Sequence, residues 1–137
     1  MRIAVISDVH GNFAALDAVM ADIGTQDVDV VVNLGDLLSG AVLPGESADR
    51  LMDLDLPTVR GNHERQLLTL DPERMGFSDR HAHEAITTRH REWLAGLPLT
   101  LEVTAGVLAF HGSPTDDLTY LLETVEESGA RPAPLRR

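Results

Sequence analysis

Four apolar runs in this chain stop at a glycine flanked by side chains that hold metals. Ile3 to Ile6 leads into Ser7-Asp8-Val9-His10-Gly11-Asn12, and Val28 to Leu34 leads into Gly35-Asp36. Leu56 to Arg60 leads into Gly61-Asn62-His63-Glu64, and Val107 to Phe110 leads into His111-Gly112. Short runs rich in β-branched residues and bounded by glycine read as strands. Between the first two, Leu16, Val19, Met20 and Ile23 recur at helical spacing, with Asn12 as N-cap and Gly24 as the stop. Strand, helix and strand in so short a span predict a right-handed parallel unit. Ligands of open α/β sheets collect beyond the carboxyl ends of the strands, so the clusters are expected to converge there. Along an extended chain, alternation also places Asp8 and His10 on one side. Each of these residues singly is explained by a cap or a satisfied core polar group; the recurrence is what points to a site.

Elsewhere the pattern predicts helices from Pro44 to about Leu54 and from Glu64 to Leu70, the latter broken by Asp71-Pro72. A long helix is expected from Ser78, its N-cap, to the stop at Gly96 and Pro98, with Ala82, Ile86, Trp93 and Leu97 on one face. Trp93 reads as core. Leu99 to Thr104 and Val107 to His111 read as a hairpin turning at Ala105-Gly106. Leu118, Leu121, Leu122 and Val125 mark a last helix reaching about Glu127, capped by Asp116-Asp117, with Glu123, Glu126 and Glu127 on its solvated face. The tail from Gly129 to Arg137 is expected to be loose. His81 and His83 lie two apart on a helix and share no face, so they read as solvated.

The 137 residues suffice for one domain with a real core, and the 43% hydrophobic fraction argues for a folded globule. No apolar run is long enough to span a bilayer, and the start lacks the basic lead and cleavage site of a secretory signal, so a cytoplasmic protein is expected. Cysteine is absent, which removes thiolate nucleophiles and zinc-thiolate sites. All eleven basic residues are arginine, which removes P-loop and Schiff-base lysines. A net charge of −11 repels nucleic-acid polymers. A small phosphorylated substrate is compatible with that field only where bound cations reverse it locally.

The ordered blocks Asp8-x-His10, Gly35-Asp36, Gly61-Asn62-His63-Glu64 and His111-Gly112 resemble the calcineurin-like metallophosphoesterases, and among them the small bacterial predicted phosphodiesterases. The likeness runs from Met1 to about Pro114. It implies an α/β fold, a metallophosphoesterase-like αββα sandwich with ligands at the carboxyl ends of successive strands. This domain is expected to occupy residues 1–128, before the 129–137 tail. The resemblance further implies two divalent metal ions (Mn, Fe, Ni or Zn). Asp8 and His10 would bind the first, Asp36 would bridge both, and Asn62 and His111 would bind the second. His63 would stay off the metals as general acid or stabiliser of leaving-group charge, and Glu64 would orient His63 or a ligand. Arg60 and Arg65 are candidates for phosphate contact or for surface ion pairs. Gly11, Gly35, Gly61 and Gly112 are expected where tight turns need positive φ.

The family closes its site with a Gly-His-x-His block, and none is present here. The resemblance therefore implies a sandwich that is incomplete, a chain truncated before that block, and three protein ligands per metal. Apolar surface left open by absent strands is expected to favour a homo-oligomer. Two functions follow as expectations: metal-dependent hydrolysis of a small phosphodiester or phosphomonoester, or a catalytically weak or dead remnant serving as a metal-binding or oligomerising module.

Overall fold

A computed structural model describes residues 1–40 and 42–133. In chain order its elements are β1 (Ile3–Ile6), α1 (Phe13–Ile23), β2 (Val30–Asn33), α2 (Pro44–Leu54), α3 (Asn62–Thr69), a 3₁₀ turn (Pro72–Arg74), α4 (Phe77–Ala85), α5 (Thr88–Gly96), β3 (Thr100–Thr104), β4 (Val107–Phe110), β5 (Glu123–Glu126) and β6 (Gly129–Pro132). β1 and β2 pair in parallel, with Ile3 opposite Val30 and Ile6 opposite Asn33. The third expected strand is reduced to one parallel bridge between Asn33 and Thr58. Asn33 donates its N–H to the Pro57 carbonyl and Val59 donates to the Asn33 carbonyl. Pro57 has no N–H to extend that ladder.

Two apolar cores lie on opposite faces of these strands. Buried Val32, Val59 and Ala109 pack with Ile3, Leu34, Leu101 and Val103, joining the sheet to the β3–β4 hairpin. On the other face, Leu16, Leu37, Leu38, Leu51, Leu67 and Leu94 bring helices α1 to α5 together, with Trp93 packed at the margin. The result is the expected layered α/β arrangement, in which the loops after β1, β2, Thr58 and β4 share one edge. Asn12 caps α1 by accepting the Ala15 N–H at 3.1 Å, and Pro44 opens α2, both as read from the sequence. Among the described residues, no helix is long and apolar enough to cross a membrane.

Three expectations are corrected. The long helix from Ser78 is two helices, because Thr87 N-caps α5: its hydroxyl accepts the His90 N–H while the Thr87 N–H donates to His90 Nδ1. A β-branched Ile86-Thr87-Thr88 run is also a weak helix former, so the capping box decides the break. The last helix is replaced by the antiparallel β5–β6 hairpin. Its apolar stripe has nothing beneath it, with Leu122 78% and Val125 59% exposed, and a short helix without a buried face has little to stabilise it. Residues 129–132 of the expected loose tail form β6, while 134–137 lie outside the described residues.

Candidate metal centre

The ligand-type residues sit in loops whose backbone is unusual. Asp8, His10 and Asp36 have φ of 56°, 48° and 56°, in the left-handed region that L-residues rarely adopt. β1 ends at Ile6, so Asp8 and His10 are not aligned by strand alternation, as the sequence suggested; left-handed turns bring them together. Such conformations cost about 1–3 kcal/mol each and persist where the surroundings enforce them. Hydrogen bonds from the Asp8 and His10 amides to the Gly35 and Asp36 carbonyls, 2.9 and 3.0 Å long, lock the first loop to the second. Gly35 has φ of 96°, as expected, but Gly61 has φ of −89°. Space is what Gly61 supplies: a Cβ there would lie 2.2 Å from Asp36 Oδ1.

One donor atom from each of Asp8, His10 and Asp36 lies within 4.8 Å of the others. An open cleft of about 560 Å³ is lined by Asp8, Asp36, Asn62, His63 and His111, and His10 stands beside Asp8 at the same edge. The histidines define the chemistry. His10 Nδ1 lies 2.7 Å from the Ser39 carbonyl oxygen and His111 Nδ1 lies 2.8 Å from the Leu34 carbonyl oxygen. A carbonyl only accepts, so each Nδ1 carries a proton and each ring presents its Nε2 to the site. Those two Nε2 atoms stand 3.5 Å from Asp8 Oδ1 and Asp36 Oδ2 respectively. An imidazole nitrogen and a carboxylate oxygen at that separation can share one cation between them. The donor set of carboxylate, imidazole and amide oxygen fits a borderline divalent metal.

Glu64 is fully buried at the third position of α3. Its carboxylate accepts the N–H groups of Asp36, Leu37 and Gly61 at 2.9, 2.8 and 3.0 Å. Burial pushes its carboxyl up from the ordinary 4.5, with Asp36 adding to the rise, while these three donors work in the opposite direction. Its role is therefore to fix the backbone of the Asp36 loop against α3. Asp36 Oδ1 in turn accepts the His63 N–H at 3.1 Å. His63 sets its ring edge-on to that of His10, centroids 5.2 Å apart, and its Nδ1 is 2.7 Å from Asp79 Oδ1.

The two arginines stand apart. Arg65 forks onto Asp117 through Nε and Nη2 at 2.8 and 2.9 Å, and this bond holds the Asp117 carboxyl below its ordinary range. Neither Arg60 nor Arg65 lines the cleft. Asp116 caps no helix; its Oδ1 accepts the N–H groups of Leu118 and Thr119 in a tight turn. His81 is exposed and His83 is paired with Arg91. The residues that sequence reasoning passed over are the Ser39 and Leu34 carbonyls and Asp79. No spacing rule ties them to the histidines they orient.

With a parallel strand pair, helices on one face, and carboxylates and imidazoles gathered at its edge, the fold and site define an α/β domain with a candidate metal centre. Residues 1–134 match the family of calcineurin-like phosphoesterases, and the chain belongs to that family. It is 31% identical over 107 residues to an uncharacterized protein of Methanocaldococcus jannaschii, covering 73% of this chain and 43% of that one. The crystal structure of a metallophosphoesterase from Sphaerobacter thermophilus superposes with a TM-score of 0.72 at 30% identity, over 90% of this chain and 52% of that one. A hypothetical protein of Pyrococcus horikoshii shares the fold at a TM-score of 0.72 and 20% identity, over 84% of this chain and 56% of that one. The chain thus spans about half the length of these relatives.

Proposed function

We propose that this chain carries a two-metal phosphoesterase centre that hydrolyses a small phosphodiester or phosphomonoester. The observation that carries the reading is the pair of Nε2 atoms of His10 and His111, each turned toward a carboxylate by a backbone carbonyl behind it. Asp8 and His10 would hold one ion, Asn62 and His111 the other, and Asp36 would bridge. Manganese, iron, nickel and zinc all suit that mixture of hard and borderline donors. Bound divalent ions supply an acidified water and charge compensation for phosphoryl oxygens. The chain's own residues do the rest. Asp36 is held by the α3 amide of His63, so the bridging carboxylate cannot swing away. His63, beside the ligands but hydrogen-bonded elsewhere, is the group that meets the leaving oxygen. With the chain at −11, ions in the site are also what let an anionic substrate approach.

The test is hydrolysis of an aryl phosphodiester with added Mn²⁺. A metal-dependent rate that falls about tenfold or more in His63→Ala is expected. No rate above blank, or a rate indifferent to that substitution, refutes the reading.

A second reading is favoured by the half-length match: a metal-binding or self-associating module with little turnover. Val5 and Val19 are 57% and 45% exposed along an apolar groove between β1 and α1, a surface suited to a second copy. Weak binding of a single Mn²⁺ by calorimetry, no turnover, and a dimer by light scattering would favour it. A monomer with turnover would exclude it.

A further inference from the structure

We propose that Asp79 is a positioning residue for His63, an inference that rests on the phosphoesterase reading of the site. The two are sixteen residues apart, in the first turns of α4 and α3, and the contact is 2.7 Å between Asp79 Oδ1 and His63 Nδ1. A side-chain exposure of 8% leaves Asp79 almost without water. A carboxylate so buried needs a donor, and the imidazole is the donor it has among the described residues. The obvious alternative, a cap for α4, is not made: no side-chain bond caps that helix at Gly76.

The consequence is chemical. With Asp79 as the acceptor of that contact, the His63 Nδ1 carries the proton and Nε2 is the nitrogen left for the cleft. To protonate a departing alkoxide the ring must also carry a proton on Nε2: that N–H bond breaks, its electron pair stays on nitrogen, the O–H bond of the alcohol forms, and the Nδ1–H ring that remains is the form bonded to Asp79. Asp79 exchanges no proton in that step; it fixes which nitrogen acts and where the ring points. The packing of α4 against α3 holds the distance.

Two readouts separate this role from a structural one. Long-range ¹H–¹⁵N spectra of the metal-free chain report which ring nitrogen of His63 is protonated. Wild type is expected to show the Nδ1–H form with a downfield, slowly exchanging proton, and Asp79→Ala a mixture of tautomers without it. Should Asp79→Ala not fold, Asp79→Asn keeps the shape and loses the charge, and the same proton is expected to move upfield. In kinetics, the variant should lose kcat more than KM. Its loss should be about tenfold or more greater for an alkyl leaving group than for p-nitrophenolate, which departs without a proton. Unchanged His63 resonances, or equal losses for both leaving groups, overturn the proposal. A wild-type chain that hydrolyses neither ester refutes the phosphoesterase reading instead, and the spectra still decide the Asp79–His63 bond.

Discussion

Glu64 Oε2 accepts the backbone N–H of Asp36 at 2.9 Å and that of Gly61 at 3.0 Å, so one buried carboxylate ties the loop after β2 to the start of α3. Two of the loops that carry candidate ligands are thereby tied together, and Glu64 fixes Asp36 through its backbone amide.

Replacing Glu64 tests that coupling. Gln keeps one acceptor oxygen where three amides need satisfying, and a buried donor left unpaired costs about 1–3 kcal/mol. Glu64→Gln should therefore lower stability by about that amount in urea titrations and weaken metal binding in parallel. An unchanged midpoint contradicts the structural role assigned to Glu64.

Arg65 and Asp117 give a pH signature. The Arg65 hydrogen bond depresses the Asp117 pKa below 3.8, so the unfolded chain binds the proton more readily than the folded one. The stabilisation is complete above the unfolded value and is lost as pH falls through the folded one. Arg65→Leu should cost about 1–3 kcal/mol near neutrality, and the gap to wild type should shrink below about pH 4. A gap that is constant from pH 7 to pH 3 contradicts this assignment.

The break between α4 and α5 is a local matter of Thr87. Thr87→Ala removes an N-cap and should destabilise the chain by about 0.5–2 kcal/mol, measured by thermal or denaturant unfolding. A neutral result would place the cause of the break elsewhere.

These residues also show what the sequence could reveal. The six ligand-type positions were legible because each follows an apolar run and a glycine accompanies it, signals confined to a few neighbouring residues. How they converge was not legible: positive φ at Asp8, His10 and Asp36 is imposed by long-range bonds such as that from the Asp8 amide to the Gly35 carbonyl. The same limit applies to Asp79, whose partner is fixed by packing of two helices. The stripe from Leu118 to Val125 misled for the opposite reason. Helical spacing stabilises a helix only where the stripe is covered, and Leu118, Leu121 and Leu122 are all at least half exposed. The partner of Arg65 was beyond local pattern for the same reason as that of Asp79, since Asp117 lies 52 positions away in sequence.

Mn²⁺ titration followed by loss of the free-ion electron paramagnetic resonance signal shows whether Asp8, His10, Asp36, Asn62 and His111 form the proposed divalent-metal centre. Asp36 is the proposed bridge, so wild type should bind Mn²⁺ and Asp36→Asn should bind at least about tenfold more weakly. Equal binding by the two chains, or none by wild type, would mean that these residues form no such centre.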